Sequence, residues 1–387
     1  MTATEEFDAE LGPEVCDFID RCRLFGQTEV APYAKDWEYT RRPPVEALQR
    51  ACAAGLSSVE LPKAQGGLGL PFSAKMRMAE EMSKHDLAFM FALMQHHNVT
   101  VRIAESAPTT TVQALLPGLL RGDVIGCTAM TEPSSGSDFS AISMRASRVE
   151  GGWRLTGEKG WIANAAVAGI ILTYAQTDSA QGNRGIACFV VSADSPGFKR
   201  HAAYELHGGH ATGVGGFTLE NCFVSDDCVI YPPGEGFKSA MSGVNRARVH
   251  VSAMNAGLLD SSLSTALKYC NDRKAFNASI LDFQGLRWSL VNVATDLEAL
   301  RLLTYRGARL IDSAQDAQEA AAMAKKFGSD RTLPGVAACI QAMGANGLRA
   351  DYPLARHLSA AKLLTYTDGS TEMMNERIGH LLRKRLN

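Results

Sequence analysis

The feature that most constrains this chain is a hydrophobic period that changes twice. From about 13 to 120 apolar residues recur with helical spacing, as in 45–55 and 75–93, with the Gly- and Pro-punctuated loop ELPKAQGGLGLP (60–71) between them. From about 124 to 230 the pattern becomes short apolar runs. The runs 144–150 and 153–156 read as a hairpin across Gly151-Gly152, and further runs follow at 169–175, 185–192 and 216–223. From about 236 onward helical stripes return: Leu286, Leu290, Val293, Leu297 and Leu300; then Met241, Val244, Val251, Met254 and Leu258; then Leu354, Leu358, Ala361 and Leu364. A helix–strand–helix order without βαβ alternation argues against a parallel dinucleotide-binding sheet. It predicts an α+β multidomain chain: an N-terminal helical domain over 1–123, a middle β-barrel or sandwich over 124–232 and a C-terminal four-helix bundle over 233–387.

The 387 residues suffice for two or three domains, and 46% hydrophobic with 21% charged residues is ordinary globular composition. Thirty-nine basic against 41 acidic residues leave a formal charge of −2, which argues against a nucleic-acid binder. The acidic start MTATEEFDAELGPE lacks the basic and apolar regions of a secretory signal, and the run 165–175 is too short and interrupted to span a bilayer. Nine dispersed cysteines without a C-x-x-C pair read as small core residues in a reducing compartment. The expectation is a cytoplasmic chain with no membrane contact.

Several chemical signals fail. GWRLTGEK (152–159) imitates a phosphate-binding loop but carries Glu158 where a Lys belongs, and G-x-G-x-x-G breaks at both Gly67 and Gly213. His96-His97 in a helix and His207 and His210 in a Gly-rich loop read as polar core-edge or loop residues, so no metal is expected. Met90 and Met94 read as core filler.

Four segments remain. TEPSSGSD (131–138) is a polar turn able to hold an anion or the edge of a polar ring. KGWIAN (159–164) places Trp161, by default a core residue, where it could stack on a planar ligand. Tyr269, Arg273, Phe276 and Gln284 combine a guanidinium, an aromatic ring and an amide, which suits a pyrophosphate with an aromatic base. QAMGANG (341–347) and YTDGSTE (366–372) close the set.

Taken in order, these segments resemble the acyl-CoA dehydrogenase family along nearly the whole chain. TEPSSGSD is similar to T-E-P-x-A-G-S-D, KGWIAN to K-x-W-I-T-N, RKAFNASILDFQ to R-x-x-F-G-x-x-I-x-x-F-Q, QAMGANG to Q-x-x-G-G-x-G and YTDGSTEM to Y-E-G-T-S-E-I. The resemblance implies FAD bound between the middle domain and the bundle, in a homotetramer or homodimer. Met130, Thr131, Gly136 and Ser137 would meet the flavin, Trp161 would flank its ring, and Ala163 stands where a Thr hydroxyl usually approaches flavin N5. Arg273, Phe276 and Gln284 would reach the FAD of a neighbouring subunit, and Gln341, Gly344, Ser370 and Glu372 would line its adenosine and pyrophosphate. Ala345 replaces a family Gly.

The activity implied is α,β-dehydrogenation of an acyl thioester, carried by coenzyme A or an acyl carrier protein. A carboxylate takes the α proton, and the β hydrogen leaves as hydride to flavin N5. The base residue's backbone amide helps polarise the thioester carbonyl. An electron-transfer flavoprotein is the implied acceptor. The family's usual base is the Glu of Y-E-G-T, where this chain has Asp368; the alternative base position, before Arg248, holds Ala247. Asp368 is therefore the expected base and Arg248 a second catalytic residue supporting its loop. The apolar side chains Phe89, Met90 and Phe91 are candidates for the acyl lining. Two alternatives share the fold: an oxidase or oxygenase similar to nitroalkane oxidase, separable by oxygen reactivity, and a non-catalytic flavin- or DNA-binding relative, separable by salt-dependent DNA binding.

Overall fold

The computed structural model describes residues 2–385. The first part of the chain is helical: α1 (Ala3–Leu11), α2 (Pro13–Phe25), α3 (Ala34–Thr40), α4 (Val45–Ala53), α5 (Phe72–Ser83), α6 (Leu87–Ser106) and α7 (Thr109–Arg121). The apolar run 75–93 is not one helix. Asp86 adopts an extended backbone and accepts a hydrogen bond from Phe89 N at 2.7 Å, so it ends α5's continuation and caps α6. Every residue of α5 is buried, including Lys75, Arg77, Glu80 and Glu81. Their charges are compensated: Glu80 meets Arg77 at 2.9 Å, Arg301 at 2.8 Å and the Tyr305 hydroxyl at 2.6 Å.

The strands follow: β1 (Gly126–Ala129), β2 (Arg145–Val149), β3 (Gly152–Ile162), β4 (Ile170–Gln176), β5 (Ile186–Ser192), β6 (Phe198–Arg200), β7 (Gly215–Ser225) and β8 (Val229–Tyr231). They form one sheet in the order β6-β7-β3-β2-β4-β5-β8, with β1 pairing β4 in parallel. The β2–β4 contact is a single pair, Arg145 with Gln176, and the β3/β7 and β4/β5 halves bury one shared core around Leu155, Phe189 and Phe217. The hairpin turn falls one residue earlier than Gly151-Gly152, because Val149 pairs with Gly152. Gly151 supplies a φ of +72°, while Gly152 is a strand residue whose added Cβ would meet the Val224 carbonyl. The three strands that the sequence pattern does not single out, β1, β6 and β8, are three or four residues long, too short to show a period.

The remaining chain folds into α8 (Gly236–Asp272), a two-stranded hairpin of β9 (Lys274–Ala275) and β10 (Ala278–Ser279), α9 (Gln284–Asp312), α10 (Gln318–Met343), α11 (Leu354–Tyr366) and α12 (Thr371–Lys384). The expected four-helix bundle is present with its fourth position divided between α11 and α12. Leu290, Val293, Leu297 and Leu300 are buried, as their spacing requires. Met241, Val244 and Leu358 are less buried than their stripes imply, because they face a cavity rather than a neighbouring helix. One apolar core joins the N-terminal helices to the bundle, and a smaller one packs α6 and the start of α8 against β4 and β5. Among the described residues no helix is long and apolar enough to cross a membrane.

Candidate active site

A cavity of about 1430 Å³ lies where the sheet, α6, α8 and the α11–α12 junction meet. It exceeds the usual size of a small-ligand site, leaving room for a dinucleotide beside a second ligand. Met130, Thr131, Gly136 and Ser137 line it from the loop after β1. Trp161 and Ala163 line it from the end of β3, and Arg248, Asp368 and Ser370 from the bundle.

Two buried tethers fix the sheet side. Glu132 folds inward, taking Lys159 Nζ at 2.9 Å, Ser143 N at 2.7 Å and Met144 N at 3.0 Å, while Lys159 Nζ also donates to the Met130 carbonyl at 2.9 Å. Burial works against ionising both, but Lys159 and the Ser143 donors hold the Glu132 carboxyl below its ordinary range. This pair joins the TEP turn to the KGW strand, a link the sequence reading does not draw. Asn164, at φ +62°, donates from its amide to the Ala92 carbonyl of α6 at 2.8 Å and so seats the strand end on the helical layer.

Between these tethers the β3–β7 register shifts at 159–162, and Trp161 takes a φ of +59°. The bulge turns the indole out of the sheet. Trp161 is 63% exposed, contradicting a core role, and meets Tyr204 edge-on at 4.9 Å. A large indole left open in a cavity wall, next to the small Ala163 and the Thr131 and Ser137 hydroxyls, fits a planar heteroaromatic ring with polar edges.

On the bundle side, the chain breaks between α11 and α12. Asp368 has a φ of +54° and Gly369 of +98°, and Ser370 caps α12 by accepting from Met373 N at 3.4 Å. Two cations hold this turn by its backbone. Arg248 Nε donates to the Asp368 carbonyl at 3.2 Å, and Lys325 Nζ donates to the Thr365 carbonyl at 3.0 Å and to the Gly369 carbonyl. Arg248 is itself oriented by Asn245 Oδ1 at 2.8 Å. Shielding from bulk water pushes the Asp368 carboxyl up to about 6, against the opposing pull of Lys325 and Arg248. Lys325 is fully buried and escapes sequence reading; its only signal is a lysine within the small-residue run AAAMAKKF.

Of the apolar side chains expected to line the acyl group, Phe91 lines the cavity, whereas Phe89 and Met90 are fully buried and do not reach it. The structure does not bring the remaining expected residues into this cavity. Arg273, Phe276, Gln284, Gln341 and Gly344 are exposed at the far tip of the bundle, and Glu372 is exposed in the first turn of α12. Arg273 lines a separate cleft with Tyr269 and Asn346, and Phe276 projects from the β9–β10 hairpin, 91% exposed. Of the histidines, His96 bonds to the Leu119 carbonyl and to Gly126 N, both at 3.0 Å, a satisfied core role. Among the described residues no three His, Cys, Asp or Glu side chains gather as a metal ion would need.

The fold and cavity define an architecture of a helical part, a sheet and a helical bundle around one large site. The chain matches the models of the acyl-CoA dehydrogenase N-terminal domain over 13–123, middle domain over 127–222 and C-terminal domain over 234–382. It belongs to the acyl-CoA dehydrogenase family. It is similar to the human mitochondrial short-chain specific acyl-CoA dehydrogenase, 31% identical over 94% of this chain and 89% of the relative. Among solved structures it resembles butyryl-CoA dehydrogenase from Megasphaera elsdenii (TM-score 0.92, 25% identity, 96% and 98% of the two chains). It also resembles glutaryl-coenzyme A dehydrogenase in its glutaryl-CoA complex (TM-score 0.91, 29% identity, 95% of each chain). The family's enzymes are FAD-dependent oxidoreductases, and so is this chain.

Proposed function

We propose that this protein desaturates an acyl thioester between its α and β carbons, with Asp368 as the base. The observation that carries the reading is a carboxyl raised to about 6 on a rigidly tethered helix break, in the same cavity as the open indole of Trp161. A base poised near the working pH transfers protons most effectively. The other shielded carboxylate of the cavity, Glu60, is held down to about 2 by Lys75 and Arg246 and is a poor base.

FAD, when bound, supplies the two-electron acceptor for the hydride leaving the β carbon. Trp161, Ala163, Thr131 and Ser137 hold and orient its ring. Asp368 takes the α proton on its carboxylate, and its own N–H donates to the thioester carbonyl. Arg248 touches the Asp368 carbonyl rather than the carboxylate, so it is a positioning residue, as is Lys325. Because Asp is one C–C bond, about 1.5 Å, shorter than Glu, the substrate sits correspondingly nearer to the α11–α12 turn. The outward display of Arg273, Phe276 and Gln284 supports their reaching the FAD of a neighbouring copy in a homodimer or homotetramer. Gln341 and Gly344 at the same tip of the bundle, and Ser370 and Glu372 at the start of α12, are the residues proposed to line the adenosine and pyrophosphate of FAD. An electron-transfer flavoprotein is the proposed acceptor and the cytoplasm the proposed location.

Anaerobic titration of the flavin-loaded protein with acyl thioesters tests this reading. Bleaching of the flavin absorbance is expected, and Asp368→Asn should abolish it with FAD retained. Undiminished bleaching by that variant would remove Asp368 from the mechanism, and rapid peroxide formation on reoxidation would favour an oxidase.

A further inference from the structure

One stretch of the cavity wall is neither apolar nor used by the chemistry above. Glu60, Lys75, Asn98, Arg246 and His250 meet there, from the loop before α5 and from α5, α6 and α8. Lys75 Nζ donates to Glu60 Oε2 at 2.8 Å and to Asn98 Oδ1 at 3.0 Å, and Arg246 pairs with the other Glu60 oxygen. Two cations thus share one carboxylate, leaving a net positive charge. Lys75 and His250 are each only 3% exposed. His250 Nε2 finds no hydrogen-bond partner among the described residues. Its ring packs on Phe72 at 5.4 Å, and the Arg246 guanidinium lies over the same Phe72 ring at 4.5 Å. Arg246 uses a single terminal nitrogen on Glu60, so the rest of its donor fork opens toward the cavity. A second cavity-wall guanidinium, Arg102, is spent on the Tyr231 hydroxyl at 3.1 Å and Ser239 Oγ at 2.7 Å and has no carboxylate partner among the described residues. The exposed Glu105 on that wall acts on Lys75 through space, so Lys75, Arg102 and Arg246 stand against Glu60 and Glu105 with one cation in excess.

An excess cation and an unpartnered buried imidazole cost free energy unless a ligand satisfies them. An alkyl chain cannot do so; an oxyanion can, accepting from Arg246 and His250 together. A substrate could bring one as a carboxylate on its acyl group or as a phosphate on its carrier arm. Position favours the acyl group. Arg246 and His250 stand two residues either side of Arg248, so they leave α8 at the opposite edge of the face it turns to the cavity through Ala247, Val251 and Met254. An acyl chain addressed by Asp368 reaches them by crossing that face, about one helix width. The carrier's phosphates are a whole pantetheine arm away from the carbons that Asp368 addresses. Resting on the dehydrogenase reading, we propose that the substrate is the thioester of a dicarboxylic acid, its free carboxylate held by Arg246 and His250 beside Lys75.

The test uses the flavin-loaded protein and length-matched pairs, glutaryl against pentanoyl and succinyl against butyryl. Each acyl group is presented both on coenzyme A and on N-acetylcysteamine, which carries no phosphate. The reading is the concentration giving half of the flavin spectral change under anaerobic conditions. The carboxylate-bearing member of at least one pair is expected to act at roughly tenfold lower concentration on both carriers, the yield of one charge-assisted hydrogen-bond set. Arg246→Gln should narrow that ratio to within about threefold. Glu60→Gln, which removes the competing carboxylate, should widen it, a direction that mere loosening of the fold would not produce. Equal or better response to the uncharged acyl groups in both pairs would overturn the proposal. So would a preference that follows coenzyme A over N-acetylcysteamine whatever the acyl group. In either case bleaching still occurs and the dehydrogenase reading survives; no response to any of the eight thioesters would overturn both.

Discussion

Replacing Asp368 by Asn should make the protein more stable while disabling it. The carboxyl rises from its ordinary 3.8 to about 6 in the folded chain. Between those values the folded state holds a proton that the unfolded state has lost, so stability falls as pH rises through the window. At 1.36 kcal/mol per pH unit the gap amounts to about 3 kcal/mol, fully expressed above pH 6, about half of it at pH 5, and absent well below 3.8. Asn, neutral throughout, escapes this penalty. Urea denaturation of both proteins at fixed excess FAD, from pH 5 to 8, should show the Asn variant gaining on the wild type as pH rises and levelling above pH 7. The wild type's bleaching rate should rise over the same interval, because the base must be ionised. A stability difference that is independent of pH, or that favours the wild type at pH 8, would refute the claim that burial outweighs Lys325 and Arg248 at this carboxyl.

Lys325→Met should move the midpoint of the pH–rate profile above about 6, since Lys325 opposes the rise in the Asp368 carboxyl; an unmoved profile with FAD retained would show that Lys325 does not face it. Trp161→Ala should weaken FAD binding about tenfold, measured by flavin fluorescence recovery on dilution. Arg273→Ala should lower FAD occupancy although Arg273 lies outside its own chain's cavity; unchanged occupancy would remove the neighbouring-copy role. Glu80→Ala should cost about 3–5 kcal/mol in urea denaturation, because Arg77 and Arg301 are left buried without their shared carboxylate.

Much of the architecture is legible from hydrophobic period. The stripe through Leu290 and Leu300 and the two-sided burial of β4 and β5 follow from residues that need only one kind of neighbour. The break at Asp86 and the division of the fourth bundle position are less legible, because a cap is a local hydrogen bond that composition does not display. Of the site, the loop at 131–138, Trp161 and Asp368 can be found by their motifs. The Glu132–Lys159 tether, the Lys325 bridge and the Glu60–Lys75–Arg246–His250 wall cannot: their bonded pairs lie 15 to 186 residues apart or use only backbone carbonyls.

By itself, then, the order of residues determined which segments are helix or strand and which side chains carry chemistry, since both are encoded over a few neighbouring positions. Tertiary structure alone decided how that chemistry is tuned. Whether Asp368 sits near 6 or Glu60 near 2 depends on which charges the fold brings alongside and how much water it excludes, and neither quantity exists until distant segments meet.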